Sequence, residues 1–447
     1  MKSVIIDQYK GYFWLTDNED FKLPGILTRY SNEMEIELIG GFESKEFDLE
    51  KIIDNHSFQK HTILLHGIDS DATKISIVAT PKVIQIGETS PFYINKYRAR
   101  YLVLGKHISG LDEKCNYEAF VRIPELSFWC PPKLISHGLS TKGVHIEALL
   151  QDSDIPLFKH ALENGIVISL ERDCQTSTSP CNLNPMIEQW TTLHISSRQK
   201  ISIKQIINAV LKFEKLLSFA TLRDCHFSEI KLLDPLLVEN DSSLNNYYLP
   251  IYLDFERLIE EKYTEVKIED FLFRYDIIED SFSDIISKWF AEDENLPLVI
   301  NHLIDSILVH NHYISTTFMT VIQGVDGFWQ RYREDDYRKK KNMNTKKKVP
   351  LSVELTELIT EFPDVFNKHI LNINVDAVKD TRHYYSHLLK VGEKANVLSG
   401  IELLRTTNLL RILLMCCVMQ LIGMNKQTIE HIMDNFISSN KYNVLGY

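Results

Sequence analysis

Along this 447-residue chain the spacing of apolar residues changes once, and that change constrains the fold before any motif is considered. Met34-Glu35-Ile36-Glu37-Leu38 and Lys74-Ile75-Ser76-Ile77-Val78 alternate with period two, and Tyr97-Arg98-Ala99-Arg100-Tyr101-Leu102-Val103 alternates and then runs apolar. Such segments, separated by Gly, Pro, Asn and Asp, put one face in a core and the other in water, as antiparallel strands do. Gly165 to Leu170 continues the β-rich reading. Ser202-Ile203-Lys204-Gln205 then opens a helix: Ser202 caps it, Gln205 reaches back, and Ile203, Ile206, Ile207, Val210 and Leu211 form one stripe. The polar stretch Glu239 to Ser243 reads as a loop within this region. Past the acidic cluster Glu292-Asp293-Glu294 and Pro297 the period becomes 3.6, with Ile300, Leu303, Ile304, Ile307, Leu308, Ile314, Phe318, Val321 and Ile322 on one face. Further helices are expected over 352–371, 376–389, 398–421 and 426–437. The expected fold class is α+β: a β-rich region over residues 1–270, as one unit or two subdomains, then an all-α bundle over 281–447.

Composition removes several alternatives. Hydrophobic residues at 44% and charged residues at 25% are ordinary globular usage, which excludes wholesale disorder and fibrous classes. The longest apolar run, Ile412 to Met419, is far short of the ~20 residues that span a bilayer. The opening Met1-Lys2-Ser3-Val4-Ile5-Ile6-Asp7 lacks the apolar core of a secretory signal, so a cytoplasmic protein is expected. Seven cysteines without repeating spacing read as reduced thiols. Cys174 and Cys181 around a Ser/Thr/Pro loop, with Cys225 beside His226, match none of the usual zinc spacings, and no metal is expected. The chain has no G-x-x-x-x-G-K-[ST], no G-x-G-x-x-G after a strand and no G-x-S-x-G, so built-in ATP hydrolysis, nicotinamide chemistry and serine hydrolysis are not expected, nor is a cofactor. The net charge of −12 falls entirely on the first 280 residues, because the remainder carries 19 Lys and Arg against 19 Asp and Glu. An acidic bulk does not coat nucleic acid, so any RNA contact has to be local.

The stretch with most chemistry is Asp380-Thr381-Arg382-His383-Tyr384-Tyr385-Ser386-His387, inside a predicted helix. Metal-free RNA cleavage needs an imidazole to move protons at the ribose 2'-hydroxyl and the leaving 5'-oxygen, and a permanent cation for the charge gathering on phosphorus. Arg382 and His387 are those two groups. On a regular helix residues five apart point about 140° apart, so they converge only at a helix end, at a kink or across a dimer seam. His383 and His387 stand four apart, a spacing that suits a metal. Against a metal hydrolase, Tyr384 stands where an H-E-x-x-H enzyme has its glutamate, and no third ligand is evident. A structural role for a buried histidine is the remaining alternative.

The arrangement resembles the R-x4-6-H signature of the HEPN superfamily, small helical bundles that dimerise around a shared ribonuclease site. Upstream, Gly11-Tyr12-Phe13-Trp14-Leu15, Leu23-Pro24-Gly25-Ile26-Leu27 and Ile36-Glu37-Leu38-Ile39-Gly40-Gly41 resemble the opening of the ApeA-type N-terminal domain, which precedes a HEPN unit in bacterial anti-phage proteins. The resemblance implies an RNA-cutting effector of abortive-infection type, with Arg382 and His387 catalytic and His383 the polar residue within the motif. It further implies a homodimer or higher homo-oligomer through the helical domain, RNA as substrate with tRNA the expected target, and a phage-derived trigger sensed by the N-terminal region. The rival is a non-catalytic RNA- or protein-binding scaffold.

Arg333 and the basic run Arg338, Lys339, Lys340, Lys341, Lys346, Lys347 and Lys348 follow Phe328 and Trp329, and read as a connector between helices that also attracts phosphates. Asp326 and Tyr384 are supporting candidates, Asp326 either orienting a motif histidine or pairing with Arg382. The Leu409 to Met419 segment is apolar around its circumference and is expected to be the bundle's central helix or a dimer contact.

Overall fold

The computed structural model describes residues 4–31, 33–42, 62–85, 94–140, 143–148, 155–177, 186–234, 248–253, 266–291, 295–309, 313–343 and 349–438. Its first six strands are β1 (Ile5–Leu15), β2 (Leu23–Tyr30), β3 (Met34–Ile39), β4 (Ile63–Asp69), β5 (Lys74–Gln85) and β6 (Ile94–Leu104). They run antiparallel in the order β6-β3-β2-β1-β4-β5, and β5 pairs back to β6, so the sheet closes into a barrel. The segments that alternate in the sequence are the barrel staves, and Phe13, Leu27, Ile36, Leu65, Ile75, Ile77 and Leu102 fill the interior. Gly67 is required there, because a Cβ would come within 2.4 Å of the Phe13 ring.

Further strands follow: β7 (Lys114–Cys115), β8 (Glu118–Arg122), β9 (Ile135–Ser140), β10 (Gly143–Ala148), β11 (Phe158–Ala161), β12 (Ile166–Ser177), β13 (Met186–Ser197), β14 (Ile201–Ser202), β15 (Glu229–Leu233) and β16 (Tyr248–Leu253). Of these, β11-β12-β13-β8-β15-β16 form a second sheet that ends on β6. One strand therefore serves two units. Its first half, Ile94 to Arg98, pairs with β3, and Tyr101 to Val103 pair with β16.

Helix α1 (Ile203–Thr221) lies across the second sheet. Ser202 Oγ accepts from the Gln205 amide at 3.2 Å and the Gln205 side chain accepts from the Ser202 amide at 3.1 Å, the reciprocal cap expected from the sequence. The helical part comprises α2 (Phe282–Ala291), α3 (Asn295–Leu308), α4 (Ile314–Tyr332), α5 (Glu334–Lys341), α6 (Leu351–Glu361), α7 (Pro363–Lys368), α8 (Val375–His387), α9 (Gly400–Leu421) and α10 (Lys426–Ser438). No described helix is long and apolar enough to cross a membrane. One apolar core runs without interruption from Val121, Ile168, Leu193 and Ile230 on the sheet, through Ile206, Val210 and Phe213 on α1, to Phe318, Val321 and Leu413 in the bundle. Polar ties follow the same route: Trp289 Nε1 donates to the Lys212 carbonyl at 2.8 Å, Lys212 Nζ donates to the Phe290 carbonyl at 2.8 Å, and His160 bonds Ser287 Oγ at 2.7 Å. Leu410 to Met419 on α9 are all buried, as a central helix requires.

Two expectations are corrected. The helix expected over 352–371 is two, α6 and α7, because Pro363 lacks an N–H and its ring would collide with the preceding turn; it starts α7 instead. Arg338 to Lys341 are not in a connector but in the last turn of α5. That helix begins with Glu334, Asp335 and Asp336 and ends with four cations, which complements its dipole, and Asn342 at φ 50° terminates it. Glu239 to Ser243, Glu292 to Glu294, Cys181 and Lys346, Lys347 and Lys348 lie outside the described residues. Cys225 is buried against Thr221 and Ser218, and His226 turns to Asp224 at 2.9 Å.

On the second sheet His194 clamps three strands. Its Nδ1 bonds Glu171 of β12 at 2.6 Å, its Nε2 bonds Glu118 of β8 at 3.0 Å, and its ring stacks on Phe120. Burial alone would lower its pKa, but the bonds to Glu118 and Glu171 outweigh burial and push it up to about 9. Because the folded value lies above the unfolded one, the stabilisation is complete below ~6.5 and is lost as pH rises through the folded value. Urea unfolding of wild type and His194→Gln is expected to differ by up to about 3 kcal/mol near pH 6, with the gap closing towards pH ~10. A pH-independent gap would reject the clamp.

Candidate active site

Helix α8 carries the Arg/His motif, and its ends are set locally. Asn374 caps the start by accepting from the Ala377 amide at 3.1 Å, and Leu388 at φ 49° ends it. Ala377, Val378 and Thr381 face inward, and the Thr381 hydroxyl accepts from the Leu398 amide at 2.8 Å, drawing the following loop back onto the helix. The helix is unbroken from Val375 to His387, so Arg382 and His387 point in different directions.

Arg382 points towards α4. Its Nη2 donates to Asp326 Oδ2 at 2.6 Å, and Asp326 is buried. Of the two roles open to Asp326 in the sequence, pairing with Arg382 is the one found. The other carboxylate oxygen accepts from Gln330 Nε2 at 2.6 Å. His383 and His387 lie exposed on the outer face, their rings 4.6 Å apart and inclined by 51°. Tyr384 meets the ring of Tyr385 edge-on at 5.1 Å, and Tyr385 leans on the core. Among the described residues no three His, Cys, Asp or Glu side chains gather as a metal centre would require.

The basic residues divide. Arg333 fastens the end of α4 to two other helices, with Nε on Glu361 at 3.1 Å and Nη2 on Gln420 at 2.7 Å, and its guanidinium lies over Phe328. Arg338 pairs with Glu334 one turn back at 2.9 Å. Lys339, Lys340 and Lys341 are exposed at the end of α5, which continues from α4 beyond Asp326. Within this run the three described lysines are thus exposed, while Arg333 and Arg338 are engaged by neighbouring side chains.

Two features of the site escaped the sequence reading. Gln330 stands four residues after Asp326 on α4, so their pairing was legible as an i,i+4 contact. The exposure of Leu388 at 86% and Val391 at 92%, directly after His387, was not, because a Leu-Leu pair after a helical motif reads as core.

Two family models match the chain. One, described as ApeA N-terminal domain 1, covers residues 8–289, which takes in the barrel, the second sheet, α1 and most of α2. The other, described as Apea-like HEPN, covers residues 319–428 and so includes Asp326, Arg382, His383 and His387. No match was found among curated proteins or among solved structures. The chain belongs to the ApeA family: an ApeA N-terminal domain 1 followed by an Apea-like HEPN domain, the make-up of a HEPN nuclease-type anti-phage protein.

Proposed function

We propose that this protein is a metal-independent endoribonuclease of abortive-infection type that cuts RNA, with tRNA the foremost candidate, at a site shared between two copies. The observation that carries the reading is the exposed His383–His387 pair on the same helix as a partly exposed Arg382, within the HEPN match. One imidazole takes the proton from the 2'-hydroxyl, the hydroxyl oxygen attacks phosphorus, and the 5'-oxygen leaves with a proton from a second imidazole. The products are a 2',3'-cyclic phosphate and a free 5'-hydroxyl. Arg382 offsets the extra negative charge on the five-coordinate phosphorus.

A single copy directs its guanidinium inward to Asp326 and its histidines outward, so the reading calls for the imidazoles and arginines of two copies to face one another. The nearly fully exposed Leu388 and Val391 and the 65% exposed Ile401 at the start of α9 support a contact around the motif, since apolar side chains flanking a functional face suit an interface. Lys339, Lys340 and Lys341 would draw the RNA backbone towards this face. In this reading the β-rich region senses a phage-derived trigger and restrains a toxic nuclease until infection. The scaffold reading keeps one point in its favour, the engagement of Arg382 by Asp326 within a single chain.

Purified protein is expected to cut RNA in EDTA, and His387→Ala to abolish cutting while the circular dichroism spectrum and melting temperature stay unchanged. Cutting that persists in the variant would move the site elsewhere, and loss of wild-type cutting in chelator with recovery on a specific ion would favour a metal hydrolase. Replacing Lys339, Lys340 and Lys341 by alanine is expected to weaken RNA binding and flatten the slope of log K against log salt by on the order of 2. An unchanged slope would leave these lysines as a solvated helix end.

A further inference from the structure

We propose that Asp326 is a positioning residue that aims Arg382. The inference rests on Arg382 being the group that offsets charge on the scissile phosphate, and it adds which edge of the guanidinium does so. The guanidinium has three edges in unlike surroundings. Nη2 is held by Asp326 Oδ2 at 2.6 Å, Nε is buried without a hydrogen-bond partner among the described residues, and the side chain is 30% exposed. Nη1 has no hydrogen bond to a described residue and is not among the fully buried unpartnered atoms, so it is the nitrogen left for an incoming phosphate.

The carboxylate is fixed in turn. Asp326 sits on the buried face of α4 between Val325 and Phe328, its side chain 10% exposed, and Gln330 occupies Oδ1. With that oxygen engaged, Asp326 meets Arg382 through a single bond to Nη2 and leaves Nε unmet, although Nε and Nη2 together form the fork that a carboxylate ordinarily chelates. A buried unmet N–H is unfavourable. Its persistence here marks a guanidinium held off the chelated arrangement and turned so that its remaining nitrogen faces outward. Such an anchor lowers the rotamer freedom that an arginine would otherwise lose on meeting a phosphate in the transition state.

The test uses the full-length protein labelled with 15N at arginine side chains. The Arg382 signals are assigned by their loss in Arg382→Lys. In wild type the bond to Asp326 should slow rotation of the guanidinium and separate its Nη signals; in Asp326→Asn they should merge. RNA cleavage by Asp326→Asn should fall on the order of 10²-fold in kcat with KM little changed, and Asp326→Glu, which keeps the charge and guards against a folding defect, should recover part of it. Identical spectra in wild type and Asp326→Asn overturn the proposal, as does an unchanged kcat. Faster cleavage by Asp326→Asn also overturns it, because Asp326 would then be a brake. If the spectra change as stated but wild type itself cuts no RNA, the nuclease reading fails and the anchoring of Arg382 stands.

Discussion

The helical half of this protein depends on apolar surface that it shares with the second sheet. Phe213 and Val210 on α1 belong to one apolar cluster with sheet residues such as Val121 and Leu193 and with bundle residues such as Phe318 and Leu413. Burial of this kind stabilises at roughly 25 cal/mol per Å² of apolar area, so the interface behaves as interior, unlike the wetter contacts through which independent domains touch. The barrel differs. Phe13, Ile36 and Leu65 enclose a core of their own, joined to the remainder by a ladder on β6 and by contacts such as the Ile108 amide on Ser76 Oγ and the Arg29 guanidinium over Tyr252. In terms of packing the chain divides after the barrel, whereas in terms of secondary structure it divides where strands give way to helices.

Much of this was legible in the residues. Alternation at Met34 to Leu38 and Lys74 to Val78 identified staves of the barrel because a one-sided core leaves a period of two in the sequence. Ser202 and Gln205 identified the cap of α1 because both bonds lie within four residues. The closure of β5 onto β6 and the sharing of β6 with β16 were not legible, since pairing between distant segments leaves no local pattern. The helix α5 was missed for a different reason: its composition, three acids then four bases, has almost no apolar stripe, and its support comes from charges matched to its own dipole.

The same contrast holds at the motif. Arg382, His383 and His387 were singled out by residue type and spacing together with the resemblance to the HEPN signature. The partition of those groups, with the guanidinium towards Asp326 and the imidazoles towards solvent, follows from which face of α8 meets α4 and α6, and that is set by Ala377, Val378 and Thr381. Arg333 and Arg338 show the limit of reading charge from sequence. Both lie in a basic stretch; Arg338 is engaged by Glu334 one turn back, whereas Arg333 is engaged by Glu361, which the stretch itself does not reveal.

The hand-over along β6 has a mechanical consequence. A strand that leaves one ladder and enters another within a few residues cannot slide, because a shift of one position would turn every side chain to the opposite face in both sheets at once. Barrel and second sheet are therefore indexed to each other like two gears on one shaft.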